Sequence, residues 1–219
     1  MIYWYTKLLS YLKDQHIESV ESDHNQQLDL YMVNNRLQLC TQNAIYSYDD
    51  FYYNFRTVFL ETDLPKDDSK VLVLGLGLGS IPFILEKYHN KKYQYTGIEI
   101  DESVLYLFGK YQASRLTSPI DIYETDALHF LKTNNSLYDM ICIDIFIGEN
   151  IPNHVKQIEF LEQIHNHLTI NGLVMWNTLF SNAQTKQETS ALYQNLFANV
   201  FKNTSSIDVL GNKMLIGYR

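Results

Sequence analysis

Residues 71–80, Val-Leu-Val-Leu-Gly-Leu-Gly-Leu-Gly-Ser, constrain the fold more than any other stretch of the chain. Four apolar residues run into three alternating glycines, and a helix-like pattern from Ile81 to Tyr88 follows. An apolar run without polar alternation reads as a strand buried on both faces. Glycines at its end allow a tight turn and let a ligand lie against bare backbone, with helix N–H groups aimed at it. The spacing is G-x-G-x-G. The third glycine falls one residue too early for the dinucleotide fingerprint, and Ser80 stands where its last glycine would be. No lysine follows the turn, so it is not a P-loop. The competing structural reading is a glycine turn that only packs strand on helix.

From Lys70 onward strands and helices alternate. Strands are expected at Val71–Leu74, Gln94–Ile98, Ile120–Tyr123, Met140–Ile145 and Gly172–Asn177. Helices are expected at Ser80–His89, Glu102–Tyr111, Ala127–Lys132, Val155–Leu168 and Gln184–Phe201. This order predicts a Rossmann-like, doubly wound, mostly parallel sheet. Ser206–Leu210 and Met214–Tyr218 flank Gly211-Asn212, a hairpin signal, so the sheet should end in an antiparallel strand. Before it, two alternating runs, Leu28–Met32 and Leu37–Leu39, flank Asn34-Asn35 and read as a β-hairpin. Leu8, Leu9, Leu12 and Ile17 could share a helix face or be partly strand. Asp49 or Asp50 is placed to cap a helix running to about Leu60. The expected organisation is an N-terminal β-hairpin and helix region, 1–64, and a Rossmann-like domain, 65–219.

Ligands of open α/β sheets bind outside the carboxyl ends of the strands. The first strand ends at Gly75, Gly77 and Gly79. The second ends at Glu99, about 20 residues on, where a carboxylate meets a ribose diol; Asp101 beyond it reads as a helix cap. The third ends at Asp126, placed to accept from an adenine amino group, to cap the next helix, or both. The fourth ends at Asp144, facing the reacting region, where it could orient a nucleophile, accept its proton or hold a cation. An acceptor at each of the last three strand ends, beside a glycine turn, describes a site for an adenine nucleoside. His154 is either a general base or an exposed residue starting a helix, and Trp176 and Asn177, which end the fifth strand, could border the pocket.

These residues carry two resemblances. The glycine turn is similar to motif I of the S-adenosylmethionine-dependent transferases. The stretch from Leu28 to Thr178 resembles the spermidine/spermine synthase family and its synthase-like relatives. Asn35–Thr41 is similar to the D-G-x-x-Q-x-T hairpin, Ile45–Tyr48 to F-x-Y, Glu99-Ile100-Asp101 to E-I-D, Asp126 to the Asp of G-D-G/A, and Tyr138–Asp144 to Y-D-x-I-x-x-D. The resemblance implies a class I methyltransferase-like fold behind a small β-hairpin domain. It implies that Gln38 and Glu99 contact the nucleoside, that Asp126 lies near adenine, and that Tyr48 and Asp144 lie near the transferred group or amine. The chain departs at Leu78 and Ile147, where the synthases carry acids that hold ammonium groups. Each lost charge-assisted bond is worth ~1.5–3 kcal/mol. That shifts the expectation toward methyl transfer from S-adenosylmethionine to a small acceptor. Aminopropyl transfer from decarboxylated S-adenosylmethionine is one alternative, and a non-catalytic nucleoside binder the other.

Composition sets the outer limits. A net charge of -8 disfavours a broad nucleic-acid footprint and permits a cationic, amine-type acceptor. Two cysteines, Cys40 and Cys142, supply neither a disulfide framework nor a metal spacing, so no metal is expected. No apolar run approaches a membrane span, and Met1 to Asp14 lacks the h-region of a leader. A cytoplasmic enzyme without a membrane partner is the resulting expectation. Homodimerisation is an expectation that rests on the family resemblance.

Overall fold

The computed structural model describes residues 2–42 and 44–219; Met1, the first residue of the segment read for a leader, lies outside them. A short helix α1 (Trp4–Leu9) precedes an antiparallel sheet of β1 (Gln15–Ser22), β2 (Gln26–Val33), β3 (Arg36–Cys40) and β4 (Ile45–Tyr48), in that order. A 3-10 turn leads into α2 (Tyr53–Glu61). Then β5 (Lys70–Leu74), α3 (Ser80–Tyr88), β6 (Gln94–Glu99), α4 (Glu102–Tyr111), β7 (Ile120–Glu124), α5 (Ala127–Thr133), β8 (Tyr138–Ile143), α6 (Ile158–His167) and β9 (Leu168–Leu179) alternate. The chain closes with α7 (Ala183–Leu192), a π turn (Tyr193–Phe197), and the hairpin β10 (Lys202–Val209) and β11 (Asn212–Tyr218).

The large sheet has the order β10-β11-β9-β8-β5-β6-β7. Its pairs β9-β8-β5-β6-β7 are parallel, and β11 is antiparallel to both β9 and β10. From β5 the chain winds outward through β6 to β7, then returns to β8 on the other side. The carboxyl ends of β5 and β8 therefore flank the switch point, where such sheets open a crevice.

Alternation along β5 sorts its residues between two cores. Val71 and Val73 join Leu28, Leu30, Leu37, Leu39 and Phe55, packed between the small sheet and one face of the large one. Leu72 and Leu74 join Phe130, Phe160, Leu161 and Trp176 on the other face, under α5, α6 and α7. The small sheet thus has one apolar face, which the large sheet's helical layer covers. The Asn34-Asn35 hairpin forms as expected, with φ of 49° and 59° at its two turn residues and Val33 paired to Arg36.

Several local expectations shift. The terminal turn is Leu210-Gly211, one residue earlier than expected, because Val209 pairs with Asn212. The expected Gln184–Phe201 helix breaks at the π turn. Its start is set by a capping box of Asn182 and Thr185. The expected Val155–Leu168 helix begins only at Ile158, after a 3-10 turn over Asn153–Lys156. Leu8, Leu9 and Leu12 share no buried face; they are 59%, 46% and 87% exposed.

Neither Asp49 nor Asp50 caps α2, whose N-terminus has no side-chain cap. Both acids are buried in the preceding turn. Asp49 accepts from Leu37 N (2.9 Å), Gln112 Nε2 (3.1 Å) and both arms of Arg115 (2.9 and 2.8 Å). Burial pushes its carboxyl up, and Arg115 opposes that. This ion pair ties the small sheet to the end of α4. Replacing Arg115 with Met should cost ~3 kcal/mol, because it leaves a buried carboxylate without its partner. Urea denaturation of the two proteins measures this directly, and a change below about 1 kcal/mol would mean that Gln112 and Leu37 suffice.

Candidate active site at the switch point

A cavity of about 950 Å³ opens at the carboxyl ends of β5, β6, β7 and β8. Gly75, Gly77, Glu99, Asp126 and Asp144 all line it, as do Tyr46, Tyr52 and Asn177. Five carboxylates (Glu99, Asp126, Asp144, Glu149 and Glu188) face one lysine, Lys156, and one histidine, His154, around its wall. Such an excess of negative charge concentrates cationic ligands.

The three glycines of the turn have φ of 84°, 56° and 73°, and each serves a different purpose. A Cβ on Gly75 would sit 2.2 Å from the carbonyl oxygen of Asp144, so this glycine lets β5 and β8 converge. A Cβ on Gly77 would meet nothing closer than Tyr46 O at 3.5 Å, so its missing side chain leaves room on the cavity side. A Cβ on Gly79 would sit 2.8 Å from the Phe108 ring. Gly79 therefore packs α3 against α4 and does not line the cavity. Leu78 is 1% exposed and belongs to the core.

Glu99 is held by the turn itself. Its Oε2 accepts from Gly77 N (2.9 Å), and its Oε1 from Ile100 N (3.0 Å) and Asp101 N (3.3 Å). Burial raises its carboxyl above the usual range, against these three donors. Each oxygen retains acceptor capacity toward the cavity. Asp101 caps α4 through Ser103 N (3.0 Å), as its position suggested, and also accepts from Ser22 and Asn25 of the small sheet.

Asp126 caps the next helix, and its second oxygen pairs with a histidine. Oδ1 caps α5 through His129 N (3.0 Å), while Oδ2 meets His154 Nε2 at 2.9 Å. His154 sits in the 3-10 turn before α6, so this pair joins two strand-end loops across the cavity rim. Its partner in sequence is 28 residues away, and no local pattern announces the pairing.

Asp144 lies at the floor, just past β8. Its Oδ1 accepts from Tyr52 Oη (3.0 Å) and Asn177 Nδ2 (2.9 Å). Among the described residues no hydrogen bond reaches its Oδ2. Burial pushes its carboxyl up to about 7; Asn177 and Tyr52 pull it down, and Glu99 adds to the rise. Burial foremost, and then the adjacent Asp144 carboxyl, push the Tyr52 hydroxyl well up, while Asn177 opposes that. A carboxyl with a pKa near neutrality is suited to take a proton from a bound amine.

Gln38 and Tyr48 are not brought to this cavity. They are cross-strand partners on β3 and β4, and Leu37, Leu39 and Ser47 occupy the opposite, buried face. Neither side chain lines the cavity, although Tyr46, two residues before Tyr48 on β4, does. Tyr48 packs edge-on against Phe51 instead. Tyr52, four residues later, takes the place beside Asp144. Its signal in the sequence was only a tyrosine-rich stretch, and the 3-10 turn that swings it inward is not readable there. Tyr46 also reaches the site: its hydroxyl bonds Asn25 and receives Gly148 N, fastening the loop after β8 to the small sheet. Ile147 lines the cavity in that loop.

No protein-family model matches the sequence. Among solved structures, human methyltransferase-like protein 13, solved with SAH, superposes over 74% of this chain and 74% of that one, with a TM-score of 0.57 and 20% identity. Spermidine synthase from Thermotoga maritima superposes over 93% of this chain and 72% of that one, with a TM-score of 0.68 and 16% identity. The fold is thus class I methyltransferase-like, with a small antiparallel sheet in front. In sequence, the chain is 29% identical over 155 residues to a polyamine aminopropyltransferase of Vibrio vulnificus, covering 69% of this chain and 50% of that protein. The chain is thus similar in fold to spermidine synthases and in sequence to polyamine aminopropyltransferases. It spans about half the length of that curated relative.

Proposed function

We propose that the protein transfers an aminopropyl group from decarboxylated S-adenosylmethionine to an amine acceptor. The observation that carries this reading is Asp144, a deep carboxyl with a pKa near 7 in a cavity rich in acids. The name of the Vibrio relative supports aminopropyl over methyl transfer. Nothing comparable singles out the methyl reading that Leu78 and Ile147 suggested. Glu149 and Glu188 line the cavity, and in this reading they supply the charge that those two positions lack.

In this reading Glu99 accepts both ribose hydroxyls and Asp126 lies beside the adenine. The backbone at Gly77 lies along the donor. The amine nitrogen forms a bond to the methylene carbon attached to the sulfonium. The carbon–sulfur bond breaks, its electron pair stays on sulfur, and neutral methylthioadenosine leaves. The proton displaced from nitrogen goes to Asp144, through the oxygen that Tyr52 and Asn177 leave free. Orientation of donor and acceptor in line supplies the rest. Because Asp144 must be ionised to accept the proton, the rate should rise with pH through about 7.

The test is product formation. Purified protein with decarboxylated S-adenosylmethionine and putrescine should yield methylthioadenosine and spermidine. Methyl transfer from S-adenosylmethionine to an amine, or nucleoside binding without turnover of either donor, would overturn the reading. Glu99→Gln should weaken methylthioadenosine binding by about 100-fold, since one charge-assisted acceptor becomes a donor facing the N–H of Gly77 or Asp101. Calorimetric titration measures it; an unchanged affinity would remove Glu99 from the ribose.

A further inference from the structure

The terminal hairpin reaches the floor of the site through two amides. Asn212, the first residue of β11, donates its Nδ2 to Asn177 Oδ1 at 2.9 Å. Asn177, buried near the end of β9 at 1% exposure, donates its own Nδ2 to Asp144 Oδ1 at 2.9 Å. An amide has one accepting and one donating end. Once Asn212 occupies the accepting end of Asn177, only the donating end is left for Asp144. Rotated by half a turn, Asn177 would set its carbonyl against the carboxylate, an arrangement that only the protonated acid tolerates.

We infer that Asn212 is a positioning residue: by fixing the orientation of the Asn177 amide, it keeps Asp144 in its proton-accepting form with Oδ2 turned to the cavity. The register of the last hairpin is thereby coupled to the chemistry at the switch point. The coupling depends on the unusual site of the turn. Leu210-Gly211 makes the reversal, with φ of 32° and 88°, which pairs Val209 with Asn212 and Asn212 with Leu179. Asn212 thus lies across from the end of β9, two residues beyond Asn177. The other titratable groups facing Asp144 are Tyr52 from the start of α2, Glu99 from β6, and Cys142 on its own strand. None of them is hydrogen-bonded to Asn212, whose side chain bonds Asn177.

The inference rests on the reading of Asp144 as the acceptor-side base, and the experiment separates the two. Asp144 is followed by carbon-13 NMR of the carboxyl groups, with the Asp144→Asn protein assigning the signal. Asn212→Leu and Asn212→Ala remove the donor without adding charge. Asn212→Gln keeps an amide donor. The titration midpoint of Asp144 should rise by about one pH unit in the Leu and Ala variants and return most of the way in the Gln variant. With decarboxylated S-adenosylmethionine and putrescine, kcat at pH 7 should fall about fivefold in the same two variants, because a midpoint moved from about 7 to about 8 leaves roughly a fifth as much ionised Asp144. Its acidic limb should shift upward by the same unit, while methylthioadenosine affinity stays within twofold. A midpoint that does not move in the Ala variant, whether or not its Tm falls, would reduce Asn212 to a structural hairpin residue. An absence of aminopropyl turnover in the wild-type protein would sink the proposed function but leave the NMR titration to decide the inference.

Discussion

Replacing Asp144 with Asn is expected to abolish turnover while raising the thermal stability of the protein at pH 8. The two effects have one cause. Burial raises this carboxyl from 3.8 in the unfolded chain to about 7 in the fold. Between these values the folded state holds a proton that the unfolded state has released. Stability therefore falls as pH rises from about 4 to about 7. Above that range the whole cost of burying the charge is present. Asn keeps an oxygen to accept from Tyr52 and Asn177 and carries no charge, so it removes that cost. Relief of order 2 kcal/mol is expected after relaxation of the site. For a chain of this size it corresponds to about 4–8 °C in Tm. Turnover should drop about 1000-fold or more, since the amide cannot take a proton from the amine. Melting curves of both proteins at pH 5 and pH 8, with product assays at pH 8, test the pair of effects. A Tm gain equal at the two pH values would remove the ionisation argument.

The glycine turn separates a structural glycine from one that serves the ligand. Gly75→Ala should cost more than about 4 kcal/mol and leave little folded protein. Its Cβ would lie 2.2 Å and 2.7 Å from the carbonyl atoms of Asp144, which belong to the backbone of the adjoining strand and have no room to move. The left-handed conformation adds strain of about 1–2 kcal/mol. Gly77→Ala has the same conformational strain but no contact under 3.5 Å. It should fold with a loss of about 1 kcal/mol and lose affinity for methylthioadenosine at least tenfold, because the methyl occupies the backbone face offered to the donor. Circular dichroism, urea denaturation and calorimetric titration on the two variants distinguish them. Wild-type affinity in Gly77→Ala would mean that the turn only packs strand against helix.

The strand-end acids were legible because the signal for them is local. An apolar run marks a buried strand, and the first acid beyond it must emerge at the carboxyl edge. Glu99, Asp126 and Asp144 follow from that rule, and all three line the cavity. Gln38 and Tyr48 were drawn from motif resemblance, and neither lines the cavity. Gly79 was grouped with its neighbours by spacing, yet it answers to the ring of Phe108, 29 positions along the chain. Asp49 and Asp50 looked like caps because their partners, Arg115, Arg36 and Tyr88, are distant in sequence.

By itself, the sequence determined the order of strands and helices from Lys70 onward, the parallel sheet, its antiparallel end and the edge at which the acids gather; of the N-terminal four-stranded sheet it gave only the central hairpin. These follow from hydrophobic periodicity and turn chemistry, which act over a few residues. Only the tertiary structure decided which tyrosine meets Asp144, which glycine faces a ligand and which faces a packed ring, and how far the carboxyl of Asp144 is pushed toward neutrality. Those outcomes depend on burial and on donors that arrive from Tyr52, Asn177 and, behind it, Asn212. The direct partners lie 92 and 33 residues from Asp144 in the chain; Asn177 meets it through the pairing of β9 with β8, and Tyr52 through the packing of the segment that follows the small sheet.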